Sequence, residues 1–578
     1  MTPEKITLSG AEILMRSLID HGTDTLFGYP GGAIMPVYDA LYDYRDRLHH
    51  ILCRHEQGAA HAAQGYARAG GRTGVCLVTS GPGATNTVTG IADAMTDSTP
   101  IVVIMGQVGT QMLGSDAFQE CDMVDIAQPI CKWAYQIRSA EDVAWAVSRA
   151  FYIAGSGRPG PVVLDFTRSA QTEQAVYRPV RTDFIRSYVP VPRPDRKALE
   201  QAARLIDEAQ RPLVLVGQGV ELGRATAELR AFIEKAGAPA GCTLLGLSAL
   251  PSDHPLNAGM LGMHGRLSLG KKTQEADLII AVGLRFDDRI TGKLATYAPR
   301  ARKIHFDIDP SEIGKNVAVD VAVTGDCKET LPAVTELIAR RDHTAWRESF
   351  RVYDEQEESL VVRPQTQPGS GPLRMAETVR AVAEATEGRA IVVTDVGQNQ
   401  MFAARYSRFV ENRSFISSGG MGTMGFGLPA AIGATYGAPG RTVCLFLGDG
   451  GLQMTIEELG TIMEQRAPVK IVLLNNNYLG NVRQWQELFY DRRYSFTRML
   501  NPDYELIARA YAIPALTVER REDLAGAVRQ MLDADGPFLL QVAVLEEDCV
   551  LPMCCPGHDS GDMLLQIPPG AEAPEDFN

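Results

Sequence analysis

Short apolar runs alternate with longer stretches of helical periodicity along most of the chain. In the first third, Val75 to Val78, Ile101 to Met105 and Val162 to Phe166 read as buried strands, with helices at 56–69, 84–95 and 140–153 between them. The middle third repeats the rhythm with Leu213 to Val216, Leu278 to Val282 and Ile304 to Ile308, and the last with Ile391 to Thr394, Val443 to Leu447, Ile471 to Leu474 and Leu539 to Val542. Runs that are apolar throughout and separated by helices belong in parallel sheets covered on both faces. Ser9 and Glu12 form a capping box for a helix with the stripe Leu14, Met15, Leu18 and Ile19, which Gly22 closes. Two Pro-rich connections, one around Pro179, Pro190, Pro192 and Pro194 and one at 363–372, separate three segments. The predicted fold is therefore α/β, with three doubly wound parallel-sheet domains at 1–180, 195–345 and 373–555. The polar, Pro/Gly-rich tail at 556–578 is expected to be a mobile flap or disordered.

Composition narrows the function classes. The 578 residues are 45% hydrophobic and 22% charged, which excludes both global disorder and a single small binding module. A net charge of −14 repels phosphate backbones and anionic bilayers, so no nucleic-acid partner is expected. Ten cysteines are spaced irregularly without a C-x-x-C, several inside apolar runs, as reduced thiols in a cytoplasmic protein would be. The first residues lack a signal-peptide core, and no run approaches the ~20 apolar residues that cross a bilayer.

Ligands of open parallel sheets collect at the carboxyl ends of strands. There, Gly448-Asp449-Gly450 follows one strand, and after 24 further residues Asn475-Asn476-Asn477 follows another. Ile456 to Glu464 is helical between them, so a right-handed crossover returns both motifs to one sheet edge. Mg²⁺ takes about six hard oxygens and shares them with substrate phosphates. Asp449, Asn476 and the carbonyl of Tyr478 would leave room for two phosphate oxygens and a water, and Gly448 and Gly450 let the backbone approach a diphosphate. Either half alone would equally suit a strand-end turn with an Asx cap.

Arg54-His55-Glu56-Gln57-Gly58-Ala59-Ala60 opens a second notable helix, rich in Gly and Ala and so able to pack closely on another element. An acid at its mouth is partly desolvated, which disfavours the charged form and suits proton exchange. For an isolated Glu the plainer role is complementing the helix dipole. A zinc-protease helix is excluded, since His55 and His61 are six apart where such a helix needs four.

The Gly448–Asn477 pattern resembles the thiamine diphosphate motif. From about residue 8 to 557 the chain resembles the large catalytic subunits of the acetolactate synthases (acetohydroxyacid synthases), a thiamine diphosphate-dependent family. The resemblance implies that Glu56 hydrogen-bonds the cofactor's pyrimidine ring nitrogen and helps its amino group remove the thiazolium C2 proton. Tyr29-Pro30-Gly31-Gly32 and Ser80-Gly81-Pro82-Gly83, with Asn86, look like the pyrimidine half-site. Gln398 and Asn399 resemble the diphosphate stretch. Gly422 and Met424 match the segment whose methionine holds the cofactor bent, although Met424 alone would pass for core filler. Because Glu56 and the metal motif lie on different domains, the resemblance implies a homodimer or dimer of dimers, with a small regulatory subunit as a further partner.

The same resemblance assigns the second substrate. Arg285-Phe286-Asp287-Asp288-Arg289 looks like a family signature in which Arg289 faces the acceptor's carboxylate. Standing alone, the stretch fits a surface ion cluster as well. Trp485 matches the residue that shapes the pocket for the ethyl group of 2-ketobutyrate, and Phe118 and Gln119 match a loop beside the cofactor. The middle domain's Gly217-Gln218-Gly219 is weak evidence of a dinucleotide by itself. In this family the domain holds FAD, and Arg158, Gly217, Gly219, Thr243, Leu244, Met263, His264, Asp307, Ile308 and Asp326 are the matching positions. Departures are Asn399 for His, Asn481 for Met, Arg168 for Lys and Phe402 for Trp, of which Asn399 keeps donor capacity toward phosphate. The implied reaction is decarboxylation of pyruvate on thiamine diphosphate. The hydroxyethyl carbanion/enamine then condenses with pyruvate or 2-ketobutyrate, giving 2-acetolactate or 2-aceto-2-hydroxybutyrate for branched-chain amino acid biosynthesis. Another thiamine diphosphate-dependent decarboxylase or oxidase, or a nucleotide-binding regulator with a decayed site, stays open on the residues alone.

Overall fold

Aliphatic and β-branched runs buried on both faces settle as parallel strands under helices. In the computed structural model, which describes residues 6–568, they build three six-stranded sheets in succession. The first holds β1 (Thr25–Gly28), β2 (His49–Leu52), β3 (Gly74–Val78), β4 (Ile101–Gln107), β5 (Trp133–Ile137) and β6 (Val162–Thr167). The second holds β7 (Pro212–Val216), β8 (Ala240–Cys242), β9 (Asn257–Met260), β10 (Leu278–Val282), β11 (Arg302–Asp307) and β12 (Val321–Thr324). The third holds β13 (Ile391–Thr394), β14 (Phe415–Ile416), β15 (Val443–Gly448), β16 (Val469–Asn475), β17 (Ala515–Val518) and β18 (Phe538–Ala543). Their spatial orders are β2-β1-β3-β4-β6-β5, β9-β8-β7-β10-β11-β12 and β14-β13-β15-β16-β18-β17, parallel throughout. This is the predicted α/β class.

The order reverses between β1 and β3, between β7 and β10, and between β13 and β15, and such a reversal opens a crevice at the carboxyl ends. Tyr29 and Ser80 flank the first crevice, Gly217 and Gly283 the second, and Asp395 and Asp449 the third. The capping box forms as predicted, with Glu12 N–H donating to Ser9 Oγ at 3.2 Å and Ser9 N–H to Glu12 Oε2 at 2.8 Å.

Two sequence expectations need correction. The helical run that ends the middle segment continues through Arg363–Thr366, with Pro364 near the start of its turn, where a missing N–H is tolerated. The tail expected to be mobile after Pro556 is instead folded over 556–568. Met553–Cys554 pairs antiparallel with Met563–Leu564, and Lys293 N–H donates to His558 O at 2.9 Å. Residues 569–578 lie outside the described part, as do residues 1–5.

The first and last domains meet through α1 (Glu56–Gly70) and α2 (Gly427–Gly437), whose backbones touch. A Cβ on Gly433 would lie 1.8 Å from Ala62 O, and one on Gly65 would lie 1.9 Å from Ala430 O. Gly433→Ala should therefore lower thermal stability by at least the ~1–3 kcal/mol of ordinary overpacking. Gly526→Ala, in a helix with open space around the added methyl, should instead be neutral or gain about 0.5–1 kcal/mol. Comparing the two melting temperatures tests the contact.

Candidate active site

Around the first crevice the predicted residues converge. Asn86 Nδ2 donates to Glu56 Oε2 at 2.9 Å, and Gly83 lies so close that a Cβ there would be 3.1 Å from Glu56 Oε1. Gly81 has φ 56°, a conformation that favours glycine, and is followed by Pro82 at the start of a short helical turn. Gln119 packs on Gly81, 3.0 Å from where a Cβ would stand, while the neighbouring Phe118 is 88% exposed. Tyr29 N–H donates to Leu77 O at 3.1 Å. Pro30 is exposed, Gly31 sits against Thr79, and Gly32 begins a 3-10 turn. The buried hydroxyls of Thr79 and Ser80 have no hydrogen-bond partner among the described residues, so the crevice keeps polar capacity for a ligand.

Glu56 is the first residue of α1, and a carboxylate of the last domain closes the mouth of that helix. Glu458 Oε1 accepts from the N–H groups of Arg54 at 3.0 Å and His55 at 3.1 Å, and its Oε2 accepts from Thr461 Oγ1 at 2.6 Å. Burial pushes this carboxyl up to about 7.

At the third crevice, β15 and β16 pair Gly448 with Leu474, which sets Asp449 and Asn475 side by side. Asp449 is buried, and burial pushes its carboxyl up to about 6. Asn501 Nδ2 donates to Asp449 Oδ2 at 2.6 Å and Gly450 N–H to Oδ1 at 3.1 Å. Asn476 Nδ2 donates to Gln398 Oε1 at 3.3 Å, and Tyr478 N–H to Asn476 Oδ1 at 3.4 Å. Asn399, predicted to face phosphate, spends its amide on the carbonyls of Asp395 (2.9 Å) and Phe446 (3.1 Å). Met424 Cε lies 3.5 Å from where a Cβ on Gly450 would stand, so its loop covers the Gly448–Gly450 turn.

The donor chemistry fits Mg²⁺. Among the described residues no three or more His, Cys, Asp or Glu side chains converge, and Asp449 has no ion pair. A buried carboxylate flanked by amide and carbonyl oxygens is a set that a hard cation completes with phosphate and water.

A cavity of about 930 Å³ lies between the domains at the second crevice. Arg158, Gly219, Thr243, Leu244, Met263, His264, Asp307, Ile308 and Asp326 all line it, as do Gly422, Arg289 and Trp485. Gly217 shapes it from behind, since a Cβ there would meet Gly283 O at 2.0 Å. The volume lies at the upper end of small-molecule sites, and the bare glycine backbones suit a dinucleotide such as FAD. Asp307, pushed up to about 7 by burial, is a desolvated acceptor at its edge. Arg158 contacts Asp309 at 3.2 Å and Glu312 at 2.7 Å, and Arg289 approaches Asp288 at 3.8 Å while Asp287 caps their helix. Of the other departures from the family pattern, Asn481 lines the cavity, Phe402 is buried, and Arg168 is exposed at the end of β6.

Glu56 is held by Asn86 of the first domain, and Asp449 by Gly450 and Asn501 of the last. Sequence reasoning missed Asn501, which has no motif around it, and Asp395. The latter accepts from the N–H groups of Val396 (2.8 Å), Gly425 (3.0 Å) and Gly427 (2.9 Å), holding the end of the Met424 loop. Its position directly after β13 was a usable signal.

The chain is similar to known proteins along most of its length. Residues 8–126 match the model "Thiamine pyrophosphate enzyme, N-terminal TPP binding domain", residues 199–334 the central domain and residues 395–542 the C-terminal TPP binding domain. The chain is 43% identical over 571 residues to "Acetolactate synthase isozyme 2 large subunit" of Escherichia coli (strain K12), covering 97% of this chain and 100% of that one. It is 45% identical to "Acetolactate synthase large subunit" of Parasynechococcus marenigrum over 96% of this chain and 91% of the relative. It is 41% identical to "Acetolactate synthase 2, chloroplastic" of Nicotiana tabacum over 96% and 85%.

Burial of the Glu458 carboxyl predicts that the stability of the first-to-last domain contact depends on pH. A carboxyl raised from 4.5 to about 7 by folding contributes stability that is complete below its unfolded value and is lost as pH rises through about 7. Glu458→Gln keeps an acceptor for Arg54 and His55 but cannot ionise. The fall in melting temperature between pH 5 and 8 should accordingly be shallower in the variant, by about 1.4 kcal/mol for each unit of the lost shift at most. Parallel curves would show that Glu458 does not titrate there.

Proposed function

The chain belongs to the acetolactate synthase large-subunit family of thiamine diphosphate enzymes, and from that membership we propose how its own residues divide the work. It is a catalytic subunit that decarboxylates pyruvate and joins the two-carbon unit to a second 2-keto acid. The products are 2-acetolactate from pyruvate and 2-aceto-2-hydroxybutyrate from 2-ketobutyrate, in branched-chain amino acid biosynthesis. When bound, thiamine diphosphate supplies the electron sink for decarboxylation.

The observation that carries the site assignment is Asp449, a buried carboxylate at the strand end next to Asn475, for which no ion pair is found among the described residues. Asp449, Asn476 and the Tyr478 carbonyl would hold Mg²⁺, with Gly448, Gly450, Gln398 and the Met424 loop around the diphosphate. Glu56, oriented by Asn86, would hydrogen-bond the pyrimidine and supply a proton-exchanging carboxyl there, and Gln119 borders that pocket. The residues lining the middle-domain cavity would hold FAD as a structural element. Arg289 pairs with the acceptor's carboxylate through a charge-assisted contact, and Trp485 favours the longer acceptor by the ~1–3 kcal/mol that one methylene is worth.

Both half-sites border exposed apolar side chains. Phe118 beside Gln119 is 88% exposed, and Leu500 beside Asn501 is 100% exposed. Such residues next to a cofactor pocket support a homodimer, alone or paired into a dimer of dimers, in which Glu56 of one subunit meets the metal motif of the other. The "large subunit" names of the relatives support a small regulatory partner. Among the described residues no helix is long and apolar enough to cross a membrane, which fits a cytoplasmic location.

Purified protein supplied with thiamine diphosphate, Mg²⁺ and pyruvate should form 2-acetolactate anaerobically, and added 2-ketobutyrate should yield 2-aceto-2-hydroxybutyrate, identified by mass spectrometry. Glu56→Gln should lower turnover by about 10²–10⁴-fold with an unchanged circular dichroism spectrum. Oxygen-dependent acetyl phosphate or peroxide formation, or full turnover by the variant, would contradict the reading.

A further inference from the structure

The loop that ends at Met424 is held chiefly from outside its own domain. Gly419 N–H donates to Asp97 Oδ2 at 2.9 Å and Gly420 N–H to Asp97 Oδ1 at 2.7 Å. Thr423 Oγ1 donates to Asp93 Oδ1 at 2.9 Å, and Ser418 Oγ donates to the same oxygen. Both acids come from the first domain, one turn apart at the end of the helix Val88–Thr96, and both are buried. Among the described residues, the hydrogen bonds that Gly419, Gly420 and the Thr423 hydroxyl donate to other elements all end on these two acids.

Asp97 is in turn fixed by Arg68. Its Nη2 donates to Asp97 Oδ2 at 2.8 Å, its Nε to Thr99 Oγ1 at 2.9 Å, and its Nη1 to the carbonyl of Ser417. Arg68 stands near the opposite end of α1 from Glu56. Space is used up as well: a Cβ on Gly420 would lie 2.4 Å from Thr96 Cγ2 and 2.6 Å from Arg285 Nη2, so all three domains meet at that glycine. Arg68 offsets the buried charge of Asp97, while Asp93 Oδ2 has no hydrogen-bond partner among the described residues, so burying both acids is costly and surface packing alone would not require it.

We propose that Asp97, fixed by Arg68, and its neighbour Asp93 are positioning residues that hold the Gly419–Met424 loop over the Gly448–Gly450 turn. The inference rests on the thiamine diphosphate reading above and extends it to the first-domain acids behind the loop, of which Asp97 also lines the cavity between the domains. Its consequence is that α1 serves two ends at once, with Glu56 at its mouth and, through Arg68, the loop carrying Met424 near its close. Removal of the Asp97 carboxylate should leave α1 in place while the loop loses its outer anchor.

The first test uses the protein without cofactor. In Asp97→Asn, amide hydrogen exchange across 418–425 should speed by about tenfold or more, the value of one hydrogen bond to a charged group, with 56–70 unchanged. Thr423→Val, which removes a single hydroxyl, should show a smaller rise and covers the case in which Asp97→Asn fails to fold. Arg68→Lys should retain part of the protection that Arg68→Met loses. The second test adds thiamine diphosphate and Mg²⁺ without substrate and follows exchange of the thiazolium C2 proton by NMR after acid quench. Asp97→Asn and Met424→Ala should each slow it, and the double variant should be no slower than the worse single one, since both act through the same contact. Unchanged loop protection, or losses that simply multiply, would overturn the proposal. Absence of C2 exchange in the unaltered protein would defeat the functional reading instead, and the exchange of loop amides would still report on the anchor.

Discussion

Two helix backbones in direct contact set the relation between the first and last domains. The carbonyls of Ala62 and Ala430 occupy the places where Gly433 and Gly65 carry no side chain. At that separation the helices cannot slide or rotate without a carbonyl striking a Cα. Everything attached to α1 is therefore placed relative to the last sheet: Glu56 at its mouth beneath Glu458, and Arg68 near its end against Ser417 and Asp97. A side chain of any size at these glycines would push the domains apart, and with them the loop that covers the metal motif.

The site is built from acids that folding has removed from water. Burial raises the carboxyls of Asp395, Asp449 and Glu458 in the last domain and Asp307 in the middle one. Their roles separate by partner. Asp395 and Glu458 are surrounded by backbone N–H donors and act as internal struts, one for the Gly425–Gly427 turn, the other for the start of α1. Asp449 accepts from Asn501, Gly450 and the backbone of Asn477 and has no ion pair among the described residues, an arrangement that favours a cation. Stability is given up at such positions where the chemistry of the site requires it.

What the chain disclosed beforehand was whatever depends on short stretches of it. Apolar runs in the interior of each sheet were legible because burial on both faces leaves no polar alternation. The edge strands were not: His49–Leu52 is half exposed, and Phe415–Ile416 has only two residues. Gly448-Asp449-Gly450 and Asn475-Asn476-Asn477 could be joined because a single crossover links them. Asn501, 52 residues beyond Asp449, and Asp97, 323 residues before Gly420, enter through tertiary packing that no local pattern encodes. The cavity residues of the middle domain came only through resemblance, since Gly217-Gln218-Gly219 alone does not distinguish a ligand from a tight turn.

The division of the cofactor site between subunits is tested most directly by mixing two inactive variants. Chains carrying Glu56→Gln are co-expressed with chains carrying Asp449→Asn under separate affinity tags, and the doubly tagged species is assayed for acetolactate formation. If Glu56 of one chain serves the metal motif of its partner, each mixed dimer contains one pocket with both residues intact, and activity returns well above either parent. Activity in the mixed species no higher than in the parents, with dimer formation verified, would place both residues in the same chain's pocket and contradict the shared site.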